Sequence, residues 1–272
     1  METINVDKDL CTKCGICSTV CITNIIEPGD ESILPSVAEK KAANCVLCGH
    51  CEAFCPTQAL ILNLRPEERQ ILPPDAGIVS PETMEFCLKK RRSIRHFLPD
   101  SVPREKILKI LEISRYAASG MNGQPVEWIV VHDPKKVQKI AGLTIKWMES
   151  LLNTAHPMSG YAPMLIAAWQ QGHDVICRGA PHLLLAHVPE NNPVAPVDAI
   201  IALTHFDIAA PSFDIGTCWA GFVAIAANSY EPIQKELGLP QGRKIAYAMM
   251  FGYPKFKVYG IPRRKPLTVT WQ

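Results

Sequence analysis

The chain has 272 residues, 47% of them hydrophobic and 20% charged, with a formal net charge of +2. That mixture suits one or two globular domains and excludes a disordered chain. It contains no uncharged apolar run of about 18 residues, so no membrane is expected, and its near-neutral charge gives no reason to expect nucleic acid.

The start, METINVDKDLCTKC, has no basic stretch followed by an apolar run, so no secretory signal and a cytoplasmic location are expected. Charge is unevenly spread. Residues 1–64 hold eight acids and four bases, a balance of −4, and residues 65–272 hold 18 acids and 24 bases, a balance of +6. The two parts are expected to do different jobs. Eight of the 11 cysteines fall within residues 11–55. Without a secretory signal, metal binding is the stronger reading and a disulfide framework the weaker.

Two runs carry these cysteines. One is Cys11, Cys14, Cys17 and Cys21; the other is Cys45, Cys48, Cys51 and Cys55, followed by Pro56. Both read C-x2-C-x2-C-x3-C. Structural zinc uses two separated cysteine pairs, which fits poorly. The pattern resembles the bacterial two-cluster ferredoxins over residues 1–64. The resemblance implies two 4Fe–4S clusters in a small ferredoxin-like domain. Cys11, Cys14, Cys17 and Cys55 would hold one cluster, and Cys45, Cys48, Cys51 and Cys21 the other. Gly15 and Gly49 would let backbone N–H groups approach the cluster sulfurs. Ile22 stands where a proline often follows the first run. His50, between two ligands, reads as a solvated loop residue. Ile4, Val6, Ile25, Ile26, Ile33 and Leu60 to Leu62 supply a small core, so metal must provide much of the folding free energy.

Residues 65–81, with four prolines and no periodicity, read as a linker. Residues 82–272 form the second domain. A helix begins at Pro81, with acids early and lysines late. Arg91, Arg92, Ser93 and Arg95 follow it and suit a phosphate. An amphipathic helix is expected over 103–118. It runs into Ser119, Gly120, Met121, Asn122, Gly123, Gln124 and Pro125, then a strand over 128–131. A further strand covers 183–188, and an almost wholly apolar helix covers roughly 197–210. Pro211 should bend or stop that helix, and Asp214 should take a left-handed turn.

This order resembles the flavin-dependent nitroreductase family. The R-R-S-x-R stretch, the S-x-x-N-x-Q-P turn, Ile215 to Phe222 and the C-terminal segments Phe251–Pro254 and Arg263–Leu267 occur in family order. The resemblance implies an α+β fold, with a central, mostly antiparallel sheet flanked by helices, and FMN at a homodimer interface. Arg91, Arg92, Ser93 and Arg95 would meet the phosphate, ribityl chain or ring edge, and Arg263, Arg264 and Lys265 would complete the phosphate grip. Ser119, Gly120, Met121 and Asn122 would approach from the partner subunit. Cys218, Trp219, Ala220 and Gly221 would lie near the ring, with the Ala220 N–H as donor to flavin N5. Arg178 is the candidate positive charge near N1 and O2. Val126 and Asp214 depart from the family pattern. Residues 137–177 match no motif and read mainly as core, with one or two side chains facing a substrate. Cys87, Cys177 and Cys218 read as small buried groups without a catalytic thiol role.

The expected function is an iron–sulfur flavoprotein oxidoreductase. Electrons would come from reduced ferredoxin or NAD(P)H, although no dinucleotide-binding G-x-G-x-x-G follows a strand. They would pass to an electron-poor small molecule such as a nitroaromatic, quinone or activated alkene. The alternatives are an electron-transfer or redox-sensing protein serving a protein partner, and a reductive dehalogenase on the same fold.

Overall fold

A computed structural model describes residues 3–73 and 76–272. Met1 and Glu2 of the expected first domain, and Pro74 and Asp75 of the expected linker, lie outside the described residues. The chain divides into two units: Met1–Ile78 with Met121–Gly123, and Val79–Gly120 with Gln124–Gln272.

In the first unit, β1 (Ile4–Val6), α1 (Ile16–Thr19), β2 (Ile26–Glu27), β3 (Ser36–Val37), α2 (Glu39–Ala42), α3 (His50–Ala53) and β4 (Leu60–Leu62) follow in order. β1 pairs antiparallel with β4, Ile4 opposite Leu62, and β2 pairs antiparallel with β3. Ile4, Ile25, Ile26, Cys51, Leu60 and Leu62 form the core. Ile33 was expected there but is 60% exposed. It closes a turn in which Asp30 Oδ1 accepts from the Ser32 and Ile33 N–H groups, and that turn sends its side chain outward. The unit repeats itself at an offset of 34 residues. Lys13 and Leu47, Gly15 and Gly49, and Asn24 and Gln58 all take positive φ. Gly15 and Gly49 (φ 75° and 74°) start α1 and α3, where a side chain would be strained. Arg69 pairs with Glu52 at 2.7 Å, and its Nη2 donates to the Gln58 carbonyl at 2.9 Å, so this part of the proline-rich stretch is tied to the cysteine unit.

The second unit opens with α4 (Pro81–Lys90). Ser80 caps it by accepting from the Thr83 N–H at 3.2 Å, and Pro81 fits the first turn. α5 (Arg104–Ser114) buries Ile107 and Ile110. It ends four residues short of the expected 118, where the Arg115 N–H closes onto Leu111 and the chain turns toward Gly120. β5 (Glu127–Val131) leads to α6 (Pro134–Ser150), capped by Asp133, and α7 (Ala162–Gln170) packs on α6. Then come β6 (His182–Pro189), α8 (Ala195–Ala209), β7 (Gly216–Trp219), α9 (Gly221–Ser229), α10 (Glu231–Leu237) and β8 (Arg243–Gly252).

The sheet order is β5-β6-β8-β7, antiparallel throughout. β6 is central and buried from His182 to Val188. Its period of two sends Leu183 and Leu185 to one core with α6, α7 and α9, and Leu184, Ala186 and Val188 to the other with α5 and α8. Pro211 does stop the preceding helix: a 3-10 turn covers Ala210–Phe213, and Asp214 follows at φ 60°. In the stretch 137–177, Trp147 and Met148 are core, and Met158 and Trp169 pack against it. Tyr161 and Met164 stand exposed.

A buried histidine joins strand to loop. His182 Nε2 accepts from the Val102 N–H at 2.9 Å, and its Nδ1–H donates to the His132 carbonyl at 2.9 Å. The ring is therefore neutral. Burial first, then the His132 charge, pulls its pKa down to about 4. The unfolded chain takes up this proton near pH 6.5, whereas the folded chain holds it off until about 4. Stability is thus full above about pH 6.5 and falls as pH drops through that window, by about 2–3 kcal/mol. All five tryptophans lie between 128 and 271, so tryptophan-monitored melting reads this unit. His182→Gln should flatten the slope between pH 6.5 and 4.5; an unchanged slope would remove His182 as its source.

Candidate functional site

The eight run cysteines line two separate cavities. Cys11, Cys14, Cys17 and Cys55 surround one, with Val6, Pro35 and Leu60 among its walls. Cys21, Cys45, Cys48 and Cys51 surround the other, with Ile4, Ile26 and Leu62. Each set takes three thiols from one tight loop and one from the other run. Burial first pushes the Cys51 thiol up to about 11, and the neighbouring Cys45, Cys48 and Cys21 add to this against the Glu52 N–H. For Cys21 and Cys55, burial is outweighed by hydrogen bonds. N–H groups at Ile25 and Leu60 and the hydroxyls of Thr23 and Thr57 hold these thiols below their ordinary value. Among the described residues no three His, Cys, Asp or Glu converge on one ion position. Four thiols spread around an apolar cavity suit a cubane, which takes one ligand at each iron corner.

The second site is built around β7. Ser93 bridges to Thr217, and the Ile94 N–H donates to the Thr217 carbonyl at 2.8 Å, so the arginine stretch runs along the edge of β7. Cys218 is buried, and burial raises its thiol. Arg95, Arg178 and a hydrogen bond with Ser93 pull the other way. Arg178 sits at φ 57° in a turn organised by Asp174, whose carboxylate accepts from the Ile176, Cys177 and Gly179 N–H groups at 2.8–3.0 Å.

Sequence reasoning missed Asp207. It is buried at 5% exposure on α8. Its Oδ1 accepts from the Thr217 hydroxyl, its Oδ2 accepts from Trp219 Nε1 at 3.2 Å, and Arg91 Nη1 lies 3.4 Å from Oδ2. An acid on the buried side of a largely apolar helix was the available signal. Arg91 Nη1 is itself buried without a hydrogen-bond partner. A cationic donor that has an ion pair but no hydrogen bond fits a group bearing further acceptor oxygens.

Other expected residues are placed differently. The Ala220 N–H, expected to donate to flavin, instead donates to the Ala248 carbonyl at 2.8 Å, because the β7–β8 pairing continues to that residue. Gly221 then opens α9, which has no side-chain cap, so its first-turn N–H groups are the nearby backbone donors. Ser119 Oγ accepts from the Gln124 N–H at 3.1 Å, and the Gly120 N–H donates to Asp198 at 3.1 Å. Met121 is exposed, and Asn122 Nδ2 donates to the Val46 and Leu47 carbonyls at 3.0 Å. Arg92 is half-buried, and Arg263, Arg264 and Lys265 are exposed on the tail after β8. Cys177 is buried, but Cys87, expected to be, is exposed.

Both parts of the chain resemble known proteins. The nitroreductase family profile matches residues 88–253, and the 4Fe-4S dicluster domain profile matches residues 10–60. Nitroreductase NfnB of Mycolicibacterium smegmatis is 25% identical over 67% of this chain and 87% of its own. An iodotyrosine deiodinase of Thermotoga neapolitana is 22% identical over 61% of this chain and 86% of its own. A Bacteroides fragilis nitroreductase solved with bound FMN superposes with a TM-score of 0.56, covering 69% of this chain and 97% of that one at 21% identity. The chain belongs to the nitroreductase family, whose members are oxidoreductases, and carries a 4Fe–4S dicluster domain ahead of the family fold.

Proposed function

We propose that the chain binds FMN beside β7 and two 4Fe–4S clusters in the cysteine cavities, and passes electrons from a donor through the clusters and FMN to an electron-poor small molecule. The observation that carries this reading is the arginine stretch running along β7, with the Ile94 N–H on the Thr217 carbonyl and Arg91 3.4 Å from Asp207, in a chain that also has two four-cysteine cavities. FMN would supply the change between one-electron and two-electron transfer. The chain's own residues bind and orient. Arg95, Arg178, Arg91 and Arg92 provide positive charge, with Ser93 beside them. The uncapped first turn of α9 offers Gly221 N–H in place of Ala220 as a donor to the ring. Positive charge there favours the reduced, more negative ring. Cys11, Cys14, Cys17 and Cys55 would hold one cluster, and Cys45, Cys48, Cys51 and Cys21 the other.

The working unit in this proposal is a cytoplasmic homodimer with FMN at its interface. Every residue of α4 is exposed, Met84, Phe86 and Leu88 included, and Val197, Ile200 and Ile208 form an exposed stripe on α8. These exposed apolar side chains on two helices support an interface there. The exposed tail, with Tyr259, Leu267 and Trp271, would bring Arg263, Arg264 and Lys265 to the phosphate in the dimer, where Ser119 to Asn122 would also face the flavin. Among the described residues no helix is long and apolar enough to cross a membrane.

Anaerobic stopped-flow spectroscopy tests the reading. Reduced ferredoxin should bleach the clusters before the flavin, and a nitroaromatic or quinone should then reoxidise both. Direct flavin reduction by NAD(P)H would put the clusters on the exit side. Flavin that no small acceptor reoxidises would favour an electron carrier. A second reading, reductive dehalogenation, is favoured by the deiodinase relative. Release of iodide from 3-iodotyrosine by the reduced protein would select it. Arg95→Ala and Arg178→Ala should each weaken FMN retention about 10- to 100-fold, the cost of one charged hydrogen bond. Unchanged FMN content in both would defeat the site assignment.

A further inference from the structure

Thr23 and Thr57 occupy the same place in the two halves of the cysteine unit. Each stands two residues after the last cysteine of its run, in Cys21-Ile22-Thr23-Asn24 and Cys55-Pro56-Thr57-Gln58. The turns are alike. The Asn24 N–H donates to the Cys21 carbonyl at 3.0 Å, and the Gln58 N–H to the Cys55 carbonyl at 3.1 Å. Both closing residues take positive φ, 52° and 60°. This folds each threonine back on its cysteine, with Thr23 Oγ1 3.6 Å from Cys21 Sγ and Thr57 Oγ1 3.8 Å from Cys55 Sγ. The residues between them differ, Ile22 against Pro56, and the closing residues differ, yet the hydroxyl is present in both.

A thiolate bound to iron has no proton, so in the loaded protein the hydroxyl must be the donor. Donation to a ligand sulfur stabilises the reduced cluster, which carries more negative charge, and raises its potential. The cysteine touched by each threonine lines the cavity built mainly by the other run. We propose that Thr23 and Thr57 are hydroxyl donors that set the two cluster potentials crosswise, Thr23 acting on the cluster of Cys45, Cys48 and Cys51, and Thr57 on that of Cys11, Cys14 and Cys17. This rests on the two-cluster reading above.

The test uses the full chain reconstituted anaerobically with iron and sulfide, with midpoints measured by voltammetry and by electron paramagnetic resonance during reductive titration. Thr23→Val should lower the midpoint of one cluster and leave the other, Thr57→Val should do the reverse, and the double variant should lower both. Thr→Ser at either position should restore the wild-type value. Fully loaded valine variants with unmoved midpoints would overturn the proposal, as would one substitution that moves both midpoints equally. If a valine variant fails to load, Thr→Ala at the same position decides: a loaded alanine variant with a lowered midpoint for the one cluster supports the hydroxyl donors, and an unmoved midpoint rejects them. A wild-type protein with no cubane signal would instead defeat the cluster reading, before any variant is compared.

Discussion

Cys55→Ser should empty the site of Cys11, Cys14 and Cys17, although 38 residues separate Cys17 from Cys55. The reason is the shared cavity: Cys55 closes the wall opposite the first loop, and Cys51, four residues earlier, faces the other cavity. The expected loss is about half of the iron and labile sulfide. Cys11→Ser should give the same loss, and the Cys11→Ser/Cys55→Ser double variant should lose no more than either alone. Cys45→Ser combined with Cys55→Ser should lose nearly all. Additive loss from Cys11→Ser and Cys55→Ser, with no further loss on adding Cys45→Ser to Cys55→Ser, would mean that each run holds its own cluster. The effect extends to folding. The core of this unit is six residues centred on Ile4, Ile25, Ile26 and Leu60, too few to hold it without metal. Proteolysis should therefore cut Cys55→Ser within residues 3–78, while the tryptophan-monitored melt of the second unit stays in place.

How far the sequence reaches depends on how local the cause is. The helix starting at Pro81 is set by neighbours in the chain, so Pro81, early acids and late lysines reveal it, whereas the crossed cysteine grouping comes from the ferredoxin resemblance of the two runs. The left-handed Asp214 after Pro211 is equally local. The buried run of β6 is visible as continuous apolar residues, because a central strand covered on both faces shows no alternation. What escapes is decided across the sheet. Ala220 looks available as a donor until β8 is laid beside it and Ala248 takes its N–H. Ile33 looks like core until Asp30 turns it outward. Asp207 lies on a helix too apolar to suggest chemistry, and only the fold brings Arg91, Thr217 and Trp219 to its two oxygens. Thr23 and Thr57 could have been found from the 34-residue repeat, had the intervals after each run been compared as well as the cysteines.

Asp207→Ala should clearly destabilise the second unit. The carboxylate holds three groups from two segments, Arg91 at the end of α4 and Thr217 and Trp219 on β7. Removing it leaves the indole N–H without its acceptor and the guanidinium without a counter-charge. Breaking a fully buried pair costs about 3–5 kcal/mol, but the Arg91 side chain is 25% exposed and water recovers part of that, leaving about 2–4 kcal/mol. For a unit of this size the melting temperature should fall by roughly 5–12 °C. Asp207→Asn keeps one acceptor oxygen, for the Trp219 N–H, while its amide NH2 can donate to the Thr217 hydroxyl oxygen, and should lose about half as much. The arginine decides the interpretation. If Arg91 is the carboxylate's partner, Arg91→Met added to Asp207→Ala should recover stability, because the uncompensated charge is gone. FMN binding should also fall in Asp207→Ala, because a guanidinium released from Oδ2 is no longer held in a fixed place. Simple additivity of the two substitutions in the melt would show that they do not act on each other. An Arg91→Met protein that melts normally and loses only FMN would put the guanidinium on the ligand and leave Asp207 to hold Trp219 alone.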